Sequence, residues 1–174
     1  MVKLNWRRML GFLIAGLLLI IPDQLTKMLA VSRLQGQDAI PIIPKVLELL
    51  YVENRGAAFG ILNGKQWVFY IITIVVMLGI LLFVGMLPRE KKYLPAGLVC
   101  LLIFGGAIGN FIDRVRQAYV VDFIYFMPID FPVFNVADIF VTCGCLFMVV
   151  LFLFYYKDED FAFMKENSPW QKKS

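Results

Sequence analysis

The chain has 174 residues, 60% hydrophobic and 17% charged, with a mean hydropathy of +0.76 and a formal net charge of +4. A soluble domain is roughly 45–50% apolar and about 25% charged, so this composition points to lipid as the solvent. There is no histidine, and the serines are Ser32, Ser168 and Ser174. Ser-His and Cys-His nucleophiles and histidine-built zinc centres are therefore excluded, which leaves acid–base work at neutral pH to Asp, Glu, Lys or Tyr. The cations sit in short clusters beside apolar runs, a pattern that orients membrane helices, and no nucleic-acid partner is expected.

Taken in chain order, an apolar run follows Lys3, Arg7 and Arg8 and leads into Pro22-Asp23 without a small-x-small cleavage site. It predicts an uncleaved first helix over about 9–31. Asp23 and Lys27 lie roughly 20 and 27 Å along it, near the far boundary of a bilayer. They read either as an i,i+4 ion pair that neutralises itself in lipid or as support for a site. In the segment 32–66, Val46 to Val52 predicts a strand, Glu53-Asn54-Arg55-Gly56 a turn, and Ala57 to Leu62 a second short strand. A second helix is expected at about 67–87 and a third at about 93–112, joined by Arg89-Glu90-Lys91-Lys92.

Gly105-Gly106 and Gly109 predict close helix packing in the third helix, which ends at Asn110, Asp113 and Arg114. Asp113 and Arg114 read either as an interfacial ion pair or as part of a site. In the segment 113–135, Tyr119 to Tyr125 has strand character, and Asp122 within it is surrounded by Val120, Val121, Phe123 and Ile124, a poor setting for an acid without a task. A fourth helix is expected at about 136–156; Asn135-x-x-Asp138 before it fits an N-cap with an acid at N3. The tail, 157–174, mixes charges around Pro169 and is expected to be frayed. Cys100, Cys143 and Cys145 lie in apolar runs and predict buried thiols rather than a disulfide.

The fold class expected is an all-α integral membrane protein, one domain over 1–174, with four transmembrane helices and a small sheet on its outer face. The Lys/Arg-rich N-terminus, hairpin and tail share one side, so both termini are expected in the cytoplasm and the segments 32–66 and 113–135 outside. Asp23, Lys27, Asn110, Asp113, Arg114, Asn135 and Asp138 then gather at the outer boundary, joined by Asn54 and Asp122 from the loops. Two aspartates at an apolar boundary cannot both ionise cheaply, so a pair such as Asp122 and Asp138 shares a proton and can both activate water and protonate an amide. A proton-coupled transporter would place its acids near the midplane on broken helices. A purely structural subunit would leave Asp122 without a task.

Five blocks in this order carry a resemblance: Asp23-Gln24-Leu25-Thr26-Lys27, Asn54-Arg55-Gly56-Ala57-Ala58-Phe59-Gly60, Gly105-Gly106-Ala107-Ile108-Gly109-Asn110-Phe111-Ile112-Asp113-Arg114, Val121-Asp122-Phe123, and Phe134-Asn135-Val136-Ala137-Asp138. Over almost its whole length the chain resembles the bacterial lipoprotein signal peptidases, signal peptidase II. The resemblance implies four transmembrane helices, a small extracytoplasmic β-cradle, and a short outer helix or loop over the site. It implies a catalytic pair at Asp122 and Asp138, with Asp23, Lys27, Asn54, Asn110, Asp113, Arg114 and Asn135 in support. The implied substrate is a prolipoprotein whose cysteine carries diacylglycerol, cleaved just before that cysteine by water, without an acyl-enzyme, metal or organic cofactor. A monomer in the bacterial cytoplasmic (inner) membrane, with membrane lipids and diacylated prolipoproteins as its partners, is the corresponding expectation.

Overall fold

The computed structural model describes residues 4–56 and 65–166. Its elements are α1 (Trp6–Leu34), β1 (Ile40–Ile43), β2 (Leu47–Asn54), α2 (Gln66–Met86), α3 (Leu94–Gln117), β3 (Val120–Phe126), α4 (Val136–Val150) and α5 (Ala162–Glu166). A π-helical turn at Leu151–Tyr155 prolongs α4. Among the described residues, four helices are long and apolar enough to cross a membrane: α1, α2, α3 with its leading turn, and α4 with its π turn.

The helices are apolar on the outside and more varied within, as lipid demands. On α1 the exposed face carries Leu10, Ile14, Leu17, Leu18, Ile21, Leu25, Met28 and Leu29, whereas Phe12, Gly16, Ile20, Asp23, Lys27, Ala30 and Leu34 are buried. The two sets follow helical periodicity and place the charges of α1 on the inward face, where they can find partners. α2 buries only Val84 and Gly85 and is otherwise turned to lipid or partly covered.

α3 packs against each of the other three long helices. Its glycines let it approach α1 and α4 closely. A Cβ at Gly105 would meet Leu19 of α1 at 2.8 Å, and one at Gly106 would run into the Ala137 carbonyl of α4. At Gly109 a Cβ would lie 2.5 Å from Asp23 Oδ2 and 3.3 Å from Ala137 Cβ. Asp23 is fully buried and held on both oxygens, so it has nowhere to move. Gly109→Ala is therefore expected to cost about 1–3 kcal/mol of stability, the usual range for overpacking, read as a lowered Tm in detergent. An unchanged Tm would mean that the α1–α3–α4 junction is loose.

The sheet is antiparallel in the order β1-β2-β3. It is glued to the end of α1 by Ala30, Leu34, Val121 and Phe123. Val52 pairs with Asp122 and Asn54 with Val120, after a register shift between Leu49 and Val52. A bridge between Ile124 and Phe134 draws the chain before α4 against β3. That bridge brings Asn135 alongside Asp122.

Several expectations change here. The strand anticipated at Val46 to Val52 is β2, but its partners are β1, which the sequence reading did not anticipate, and β3. The second strand expected at Ala57 to Leu62 lies outside the described residues. α3 continues to Gln117, where Ala118 ends it in the left-handed region at φ 62°. The tail is folded as far as Glu166: Asp158–Phe161 forms a 3-10 turn followed by α5. Asp160 there accepts from Lys92 Nζ at 2.5 Å, while Tyr93 and Tyr156 stack with centroids 5.9 Å apart. These aromatic and polar anchors outweigh the local charge pattern that suggested fraying.

Candidate active site

Asp122 comes from β3 and Asp138 from the first turn of α4, and one residue, Asn135, reaches both carboxylates. Asn135 Nδ2 donates to Asp122 Oδ1 at 2.6 Å, and the Asn135 backbone N–H donates to Asp138 Oδ2 at 3.0 Å. Asn135 Oδ1 in turn accepts from the Asp138 backbone N–H at 3.1 Å, completing the capping box the spacing predicted. The box closes off orphan N–H groups of α4. In the fold it also holds Asp138 in register with Asp122.

The remaining oxygens are held from other elements. Asn54 Nδ2 at the end of β2 donates to Asp122 Oδ2 at 2.8 Å, and Asn110 Nδ2 of α3 donates to Asp138 Oδ1 at 2.7 Å. Asp122 is only 2% exposed. Burial pushes its carboxyl up to about 7, and the charge of Asp138 pushes the same way, against the weaker pull of the Asn54 and Asn135 donors. A carboxyl so placed holds its proton up to neutral pH.

Behind the pair lies a buried ion cluster. Lys27 Nζ spends its three donors on Asp23 Oδ2 at 3.0 Å, Asp113 Oδ2 at 2.8 Å and Asn110 Oδ1 at 2.9 Å. Asp23 Oδ1 accepts from the backbone N–H of Ala137 at 3.0 Å, an anion placed on orphan donors at a helix start. The cluster thus ties α1, α3 and the head of α4 together and orients Asn110, whose other end meets Asp138. All three ions of this arrangement, Lys27, Asp23 and Asp113, are paired, as burial requires.

All nine residues singled out from the sequence therefore converge, but not in every case as anticipated. Asp113 pairs with Lys27; among the described residues it makes no ion pair with Arg114. Arg114 instead donates from Nη2 to Gly56 O at 3.2 Å and lies over the Phe69 ring, 4.4 Å from its centroid. Gln24, for which the sequence reading anticipated no role, joins the cluster. Its Nε2 reaches Asp23 Oδ2 at 3.1 Å, Asp113 Oδ1 at 3.0 Å and Gly109 O at 3.3 Å. An amide in an apolar run beside a buried acid was the signal for it, since lipid offers such a group no partner.

Asp122, Asp138, Asn54 and Arg114 line one cleft of about 540 Å³, which continues past Phe69, Ile139, Thr142 and Cys143 along α2 and α4. The arrangement can hold one proton on two carboxyl groups beside a space large enough for a peptide.

A bundle of membrane-length helices with two hydrogen-bonded aspartates lining one cleft is the architecture of a membrane enzyme equipped for acid–base chemistry. The family model described as signal peptidase (SPase) II matches residues 14–154. The lipoprotein signal peptidase of Halalkalibacterium halodurans is 41% identical over 159 residues, covering 90% of this chain and 99% of that protein. That of Latilactobacillus sakei is 43% identical over 147 residues, covering 82% and 95%. A bacterial membrane enzyme solved at 1.9 Å shares 34% identity with a TM-score of 0.72, covering 90% of this chain and 99% of that one. Another, solved at 2.3 Å, shares 31% identity with a TM-score of 0.70, covering 100% and 98%. The chain belongs to the signal peptidase II family and is an aspartic-type protease.

Proposed function

We propose that this chain removes the signal peptide of diacylglyceryl-modified prolipoproteins, cleaving just before the modified cysteine with water activated between Asp122 and Asp138. The observation that carries this reading is the contact of Asn135 with both carboxylates, which couples an acid on a strand to an acid on a helix. One carboxyl of the pair holds the shared proton. The other takes a proton from water as its oxygen adds to the scissile carbonyl carbon. The acid then gives its proton to the leaving nitrogen, the C–N bond breaks, and the pair ends with one proton, as it began. Arg114, whose Nε has no partner among the described residues, supplies positive charge beside the developing oxyanion. Asn54, which also accepts from the Gly56 N–H at 3.0 Å, ties the segment after β2 to the site.

The cleft's apolar continuation along α2 and α4 supports entry of a lipid-bearing substrate from the bilayer. The direct test incubates the purified protein with a diacylated prolipoprotein and measures the product masses. A cut just before the lipidated cysteine is expected, and a cut elsewhere or none would overturn the reading.

The lysine and arginine clusters support an orientation with both termini in the cytoplasm and the aspartates at the extracytoplasmic face of a bacterial inner membrane. Reporter fusions after residue 90 or at the C-terminus are expected to report cytoplasm, and fusions near residues 40 and 125 the outer side. The reverse pattern would put the site on the wrong side for exported lipoproteins.

A further inference from the structure

The end of the bundle opposite the aspartates carries a second cleft, of about 380 Å³, between α1, α2 and α3. The first turn of α1 is tied to the end of α2 beside it: the Asn5 N–H donates to Gly85 O at 3.0 Å, and Arg8 Nη1 donates to Leu87 O. Phe12, Val84 and Leu98 make its walls apolar. Gly11 of α1 and Gly97 of α3 also line it, and a Cβ built on either would meet nothing within 4 Å. These glycines therefore serve no close packing; they leave a groove.

The groove's mouth is charged. Arg8 and Arg89 line it, near enough for their like charges to act on each other, and neither forms an ion pair among the described residues. Glu90 is there too, exposed, and offsets one of them. An adjoining cleft that shares Leu87, Pro88 and Arg89 is lined by Arg7, whose guanidinium lies over the Trp6 ring, so the two clefts together carry three arginines and one glutamate. An apolar groove open to the bilayer with arginines at its polar mouth matches an acyl chain below a phosphate, which guanidinium groups bind in a two-pronged fashion.

We infer that this end of the bundle is a binding site for one anionic phospholipid, its phosphate between Arg8 and Arg89 and one acyl chain in the groove between Gly11 and Gly97. The bound lipid adds to the α1–α2 tie and to the buried cluster of Phe12, Val84, Leu87 and Cys100 that already join the three helix ends. The site lies apart from the aspartate pair and stands or falls independently of the peptidase reading.

The test is native mass spectrometry of the delipidated full chain in detergent, offered equal amounts of phosphatidylglycerol and phosphatidylcholine with identical acyl chains. At least a roughly tenfold preference for a single phosphatidylglycerol is expected. Arg89→Gln, at an exposed position, is expected to lower that preference about fivefold, since one cation near a membrane surface contributes about 1 kcal/mol. Gly97→Leu and Gly11→Leu, whose Cβ atoms enter open space, fill the groove and are expected to abolish retention of the lipid while Tm measured without lipid stays near wild type. Equal retention of the two lipids, or wild-type preference in Arg89→Gln, overturns the proposal. So does matching occupancy by diacylglycerol, which would mean that the groove reads chains alone, or full protection by inorganic phosphate, which would mean that the arginines read phosphate alone.

Discussion

Asp122→Asn and Asp138→Asn are each expected to lower kcat by about a thousandfold, within the range general acid–base groups contribute, while leaving a folded, membrane-inserted protein. Each aspartate accepts on both oxygens, Asp122 from Asn54 and Asn135 and Asp138 from Asn110 and the Asn135 N–H. An amide can accept on one side only, so each variant also loses one hydrogen bond, at about 1–3 kcal/mol of stability. That cost lowers Tm without unfolding the bundle, and the two effects separate when kcat is measured below the transition. Retention of more than about a tenth of wild-type turnover, a loss under about 1.4 kcal/mol, would rule out a shared-proton pair.

The same pair sets the pH dependence. The Asp122 carboxyl is pushed up to about 7, so it keeps its proton below that value and loses it above. Turnover should accordingly fall as pH rises through about 7, approaching tenfold per further pH unit. A rate that stays flat to pH 9 would show that the proton delivered to the leaving nitrogen comes from elsewhere.

Cleavage should depend on the substrate's lipid by at least roughly a hundredfold in kcat/KM, about 2.7 kcal/mol, when the same prolipoprotein is compared with its cysteine unmodified or changed to serine. A water-mediated attack needs the scissile bond held at the depth of Asp122 and Asp138. A signal helix alone can tilt or slide at modest cost, whereas each buried methylene of a diacylglyceryl group adds about 0.8 kcal/mol of anchoring. The apolar continuation of the active-site cleft past Phe69, Ile139 and Cys143 is where those chains would lie. Equal rates for the two substrates in one nanodisc preparation would show that the enzyme reads peptide sequence rather than lipid.

By itself the sequence determined whatever depends on near neighbours in the chain and on the cost of polar groups in lipid. Four apolar runs of membrane length could only be helices, because hydrocarbon leaves a backbone no other partner. The inward placement of Asp23 and Lys27, the capping box of Asn135 and Asp138, and the strand around Asp122 follow from periods of 3.6 and 2 and from local hydrogen bonding. Tertiary structure alone decided who meets whom across the chain. Asp113 turned to Lys27 rather than to its neighbour Arg114, because consecutive residues on a helix point about 100° apart and Lys27 lay on the facing helix. β2 found β1 and β3, and the segment after Tyr156 found Lys92 and Tyr93, through contacts between residues far apart in sequence. Asn135 reached Asp122 because the bridge at Phe134 carried it there. Local patterns are written in spacing, whereas the pairing of distant groups is chosen only when packed helices and strands leave each buried polar atom one partner within reach.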